Sequence, residues 1–163
     1  MKSFEKNSKL VFFMGLIGYL AFKLYMSMNI ANELMQSDTG GIAEGIGMIR
    51  GVTLGFSIIG TVVFVVATYF IYRAVYKKIN SDNQIMVDRF QGIYFSNMAM
   101  LYIGSIIALF LSSFVFKDQT VLPLTIGIAV KLFLITGLNF ILLDGEDNRM
   151  VPNMAVFGAL SLF

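Results

Sequence analysis

Residues Val62–Tyr72 read VVFVVATYFIY, and no charged side chain occurs from Gly51 to Tyr72, between Arg50 and Arg73. A helix that crosses the hydrocarbon core of a bilayer needs about 20 mostly apolar residues. This stretch provides them, as a span read over 48–76. Three further stretches qualify on either side. One covers 10–31 and is interrupted only by Lys23; one covers 92–116 and is uncharged; one covers 121–143 with Lys131 near its middle. The whole chain agrees, being 57% hydrophobic and only 13% charged, with a mean hydropathy of +0.77. An ordinary soluble domain carries about a quarter charged residues and so can cover itself with polar surface. The expected fold is therefore all-α: a polytopic integral membrane protein, one membrane domain over 1–163, with four transmembrane helices in a bundle.

Two absences narrow the chemistry. The chain has no Cys and no His. Disulfides, thiolate metal sites and thiol nucleophiles are excluded, as are the commonest general base and the commonest metal ligand. No cofactor is implied, and a net charge of +2 is too small to point to nucleic acid.

The first span has the front half of a signal peptide, with Lys2, Lys6 and Lys9 before an apolar run from Leu10 to Phe22. No small-residue cleavage pattern follows, and apolar character resumes after Lys23, so a retained helix is expected. Lys and Arg in short loops set orientation. Placing both termini in the cytoplasm puts Lys2, Lys6, Lys9, Arg73, Lys77, Lys78, Arg89 and Arg149 inside, against Arg50 and Lys117 outside. This N-in, C-in arrangement fits a bacterial inner membrane. Tyr69, Tyr72 and Tyr76 flank Arg73, Lys77 and Lys78 at the inner end of the second span, the composition of an interfacial lipid belt. The apolar stretch 150–163 is too short to span. It reads as an interfacial or re-entrant helix with Pro152 in its first turn, free to dock against a partner.

Small residues recur at helical spacing. Gly47, Gly51 and Gly55 lie four apart, with Gly41 and Gly45 just upstream; Gly104, Ala108 and Ser112 repeat the device, and Thr125 and Ala129 extend it to the fourth span. Glycine costs about 1 kcal/mol in a helix interior, and close approach of another helix is the usual compensation in lipid. Such stripes serve either packing within one chain or an interface with another. The first stripe begins upstream of the apolar stretch, so the second helix is expected to run beyond the hydrocarbon.

Lys131 would lie near the midplane, where an ammonium costs several kcal/mol unless paired or hydrated. No Asp or Glu occurs within any of the four spans, although Asn97 and Ser105 offer uncharged acceptors. Lys131 therefore lines a water-filled path, meets a carboxylate of another chain, loses its charge, or reaches water through a local defect. Lys23 is closer to the outer boundary, where its stem can snorkel. The run Asp144–Asn148 lacks the alternating ligand spacing of a calcium loop and reads as the turn that ends the fourth helix. Asn80–Asn83 reads as a turn between helices.

An intramembrane enzyme needs a convergent nucleophile, base and orienting group, which this chain does not spell out. Coupled transporters usually carry intramembrane carboxylates and broken repeats, also absent from the sequence. The expectation is a non-catalytic membrane subunit of a larger complex, partnered by the lipid bilayer and other membrane chains. Secretion or conjugation machinery, transport machinery and a toxin-neutralising accessory are the candidate settings. The alternative is a homo-oligomeric channel with a basic ring at Lys131 that passes anions or small solutes.

Overall fold

A computed structural model describes residues 7–37, 43–115, 121–143 and 150–162. Helix α1 is Ser8–Ser37, α2 Ala43–Ile79, α3 Gln84–Phe110, α4 Val121–Leu142 and α5 Met150–Gly158. A π-helical turn, Leu111–Val115, continues α3, and a 3-10 turn, Ala159–Leu162, continues α5. No strand occurs among the described residues. Four helices carry windows long and apolar enough to cross a membrane: Ser8–Met26, Gly55–Ile79, Gln84–Val115 and Thr125–Leu142. The described residues are all-helical, and their four long apolar helices have the character of an integral membrane protein. Lys2, Lys6, the connection Lys117–Thr120, the acidic turn Asp144–Asn148 and Arg149 lie outside the described residues.

Helices α1, α2 and α3 extend beyond the apolar stretches that announced them, while α4 matches its own to within a residue. With 37 residues, α2 is about 55 Å long at 1.5 Å per residue. It starts at Ala43, which brings Gly45, Gly47 and Gly51 into the helix. Likewise α3 starts at Gln84, ahead of Asp88 and Arg89. Backbone hydrogen bonding does not stop where apolar side chains stop, because polar residues continue a helix through the interface.

Local signals explain the α2–α3 junction. Asn83 caps α3, its side chain accepting from the Met86 N–H at 3.2 Å, which satisfies one of the orphan donors of a helix start. The Asn83 N–H donates to the Asn80 carbonyl at 3.0 Å and the Asn80 N–H to the Tyr76 carbonyl at 3.0 Å, closing a four-residue hairpin turn. Within α2, Thr61 and Thr68 donate to the carbonyls of Ser57 and Phe64 at 2.7 and 2.6 Å. Such back-bonds let a hydroxyl sit on an apolar helix without an unmet donor.

Two compact units divide the chain, Met1–Tyr19 with Tyr69–Phe163, and Leu20–Thr68. In the first, α1 runs parallel to α3: Phe12 stacks near Phe95, and Tyr19 near Tyr102, while Gly15 and Gly18 face Ala99 and Ile106. The end of α2 runs antiparallel to α3, with Tyr69 against Tyr94 and Tyr76 against Phe90. Helix α5 folds back onto its own chain. Phe157 and Leu160 are fully buried, and the Phe157 ring lies 5.7 Å from Tyr72 and 5.9 Å from Tyr76. In the second unit, the Lys23 ammonium donates to Ser57 Oγ at 2.8 Å, tying α1 to α2.

Candidate functional site

The polar interior of the first unit is built along the contact of α3 with α4. These helices run antiparallel, and three pairs mark successive levels. At the first level, Asn97 and Asn139 are both fully buried and exchange side-chain hydrogen bonds, 3.0 Å from Asn97 Nδ2 to Asn139 Oδ1 and 2.8 Å in return. The second N–H of each amide donates to its own helix, to the carbonyls of Ile93 and Ile135, both at 2.9 Å. All four amide donors are thereby used, the condition for placing such groups where water is absent.

At the second level, Gly104 faces Lys131. A Cβ at Gly104 would stand 2.8 Å from Lys131 Cγ and 3.2 Å from its Cα, so the missing side chain is what lets the lysine stem lie against the α3 backbone. At the third level the roles reverse. A Cβ at Gly127 of α4 would come within 2.9 Å of the Ala108 Cβ of α3. One glycine on each helix yields to the other, which is the small-residue packing that brings membrane helices into close contact.

Lys131 is 9% exposed, and no hydrogen bond or ion pair reaches it among the described residues. Neither acceptor considered from the sequence serves it. Asn97 is engaged with Asn139, and Ser105 Oγ donates to the Leu101 carbonyl at 2.8 Å. Lys23 is held differently, through Ser57. Two further α3 hydroxyls, Ser96 Oγ and Tyr102 OH, are buried without a hydrogen-bond partner.

A second amide pair fastens α5. Asn80 and Asn153 are fully buried and exchange side-chain bonds of 3.0 and 3.2 Å, while Asn80 Nδ2 also donates to the Tyr76 carbonyl at 2.9 Å. Arg89 Nη2 donates to the Leu142 carbonyl at 3.0 Å, a cation on the negative end of α4. The turn at 80–83, the end of α4 and α5 therefore meet in one place.

The remaining residues singled out from the sequence are spread over the fold. Gly104 and Ala108 belong to the α3–α4 contact, and Ser112 lies in the π-helical turn. A Cβ at Gly55 would meet nothing within 4 Å, as at Gly60; the side-chain surroundings of Gly47 and Gly51 lie outside the described residues. Tyr72 and Tyr76 are buried, Tyr69 is half-buried, and Arg73, Lys77 and Lys78 are exposed. Asn80, Asn139 and Asn153 were not singled out. The sequence carries a signal for Asn139: it lies 19 residues after the connection at 117–120 and Asn97 lies 20 before it, so a hairpin of the two spans sets them nearly level. In the sequence Asn80 stands out only as part of a turn, and nothing local marks Asn153.

Beside the 80–83 turn, a groove of about 450 Å³ opens between α2 and α3, with Tyr69, Arg73 and Lys77 on one wall and Gln84, Asp88 and Phe90 on the other. Gln84 Nε2 donates to Asp88 Oδ1 at 2.8 Å. No group of three or more Asp or Glu side chains that could hold a metal occurs among the described residues. No family model, no curated protein and no solved structure matches the chain.

Proposed function

We propose that this protein is a non-catalytic subunit of a larger membrane complex, completed by another membrane chain that offers Lys131 a carboxylate. The observation that carries the reading is the state of that lysine. Its stem is packed on Gly104 and it is 9% exposed, with no counter-charge among the described residues. An uncompensated ammonium at that depth costs about 2.5–3.5 kcal/mol or more, and a partner's carboxylate removes the cost.

Other features support it. The interior amides are spent on one another, as in a scaffold, rather than converging on a reacting centre. Gly55 and Gly60 leave a stretch of α2 where a second helix could approach closely. We place both termini in the cytoplasm of a bacterial cell and the four spans in a bundle within its inner membrane. The exposed Arg73, Lys77 and Lys78 at the turn end favour that orientation, and the Asn80–Asn153 pair favours a C-terminal segment at the same end. Helix α5 and the 3-10 turn that continues it suit the interface, with Val151 75% and Leu162 68% exposed while Phe157 is buried. Secretion, conjugation, transport and toxin-neutralising assemblies are the candidate settings.

The test is native mass spectrometry of the complex extracted in mild detergent, with Lys131→Leu beside it. Other chains in fixed ratio, lost from the variant, support the reading. A repeating 18.1 kDa chain whose assembly survives the substitution while its conductance changes overturns it in favour of a channel.

A further inference from the structure

The groove beside the 80–83 turn has the makings of a lipid-headgroup site, and the reasons are independent of any partner chain. Arg73 and Lys77 lie four residues apart, so they share one face of α2, and both line the groove. Both are exposed, and no hydrogen bond or ion pair reaches either among the described residues. Asp88 lines the opposite wall but is oriented by Gln84 rather than by the two cations. The site thus carries two free positive groups and one held negative group, separated across an open cleft.

Its depth matters as much as its charge. The candidate span of α2 runs to Ile79, but its uncharged run ends at Tyr72, so Arg73 and Lys77 are the first cations beyond it. By composition, such a change from apolar to basic residues marks the level where acyl chains give way to phosphates. Phe70, one turn before Arg73 on the same face, is 62% exposed, a surface for an acyl chain directly below the cations. Tyr69 and the buried Phe90 line the groove, one on each wall.

We propose that this groove binds the headgroup of an aminophospholipid, with Arg73 and Lys77 on the phosphodiester and Asp88 on the headgroup ammonium. Every charged group then meets an opposite one: the phosphodiester takes the two side-chain cations and the carboxylate takes the ammonium, with a single positive charge left over. Arginine and lysine supply charge-assisted donors to phosphate oxygens. An anionic headgroup without an amine would place no cation on Asp88, and inorganic phosphate would leave both Asp88 and the Phe70 surface unused.

The experiment delipidates the full-length protein in detergent and adds phosphatidylethanolamine, phosphatidylglycerol or inorganic phosphate, reading bound adducts by native mass spectrometry. Phosphatidylethanolamine is expected to give one resolved adduct. The double variant Arg73→Gln/Lys77→Gln should weaken it about tenfold or more. Asp88→Asn should abolish the preference for phosphatidylethanolamine over phosphatidylglycerol, and Lys78→Gln, exposed but outside the groove, should change nothing. All these side chains are exposed, and unchanged helical circular dichroism verifies that the variants fold. Retention by the double variant, equal binding of the two lipids by the unmodified protein, displacement by inorganic phosphate at the same concentration, or no adduct at all overturns the proposal.

Discussion

Asn97 and Asn139 exchange two side-chain hydrogen bonds, 3.0 and 2.8 Å long, between fully buried positions on α3 and α4. In water such a pair would compete with solvent. In lipid the competitor is an unsatisfied amide, which makes the pair a device for setting the axial level and rotation of one helix against the other. Measured interhelical hydrogen bonds in membranes are nonetheless modest, about 0.6 kcal/mol on average and about 1–2 in peptides.

Removing one member should therefore cost more than the bond is worth, because it strands the other. Asn139→Leu is expected to destabilise the protein by about 1–3 kcal/mol, and Asn97→Leu by a similar amount. The double variant should recover part of the loss. Unfolding titrations in mixed micelles would give the coupling energy, and additive losses would show that the two amides act independently.

The glycines of the α3–α4 contact make an asymmetric prediction. Gly104→Val would drive a side chain into Lys131, whose Cα lies 3.2 Å from the added Cβ, and should cost about 1–3 kcal/mol. At Gly55, where an added Cβ meets nothing within 4 Å, Gly55→Ala should leave the isolated chain unchanged or raise its stability by up to about 1 kcal/mol. Thermal midpoints in detergent decide it. If Gly55→Leu then alters the mass of the native complex while leaving the monomer's midpoint alone, α2 carries the inter-chain contact; an unchanged mass sinks that role.

Lys131 links stability to assembly in opposite directions. Lys131→Met keeps the stem against Gly104 and removes the charge, so the isolated chain should gain about 1–3 kcal/mol. The same variant should lose co-purifying chains. A fall in stability of the isolated variant would mean that the ammonium already has compensation inside this chain.

Helix α5 packs along α4 and is fastened by one amide pair and one aromatic ring. Phe157→Ala, which empties the space beside Tyr72 and Tyr76, should cost about 3 kcal/mol. Asn153→Leu should strand Asn80 beneath it. In both variants, hydrogen exchange should accelerate over 150–162 while α3 and α4 keep their protection. Uniform acceleration would instead make α5 part of one cooperative unit with the rest.

Orientation of the helix faces explains what the sequence left open. Tyr72 and Tyr76 look like members of an interfacial belt because they sit beside Arg73, Lys77 and Lys78, yet their rings are buried on Phe157 while the cations are exposed. Periodicity is a weak guide here, since a membrane helix is apolar all round and its buried face resembles its lipid face.

The sequence by itself determined the class, the four apolar spans, the turn at Asn80–Asn83 and the exceptional position of Lys131, because transfer from water to hydrocarbon depends on composition and length alone. It also held the approximate levels of Asn97 with Asn139 and of Gly104 with Lys131, whose distances from the connection between α3 and α4 agree to within one and two residues respectively. Only the tertiary structure decided that these residues face one another, that Lys23 reaches Ser57, and that Asn153 closes on Asn80. Those contacts depend on the rotation of each helix about its axis, which lipid does not bias and which close packing and the pairing of buried amides alone can set.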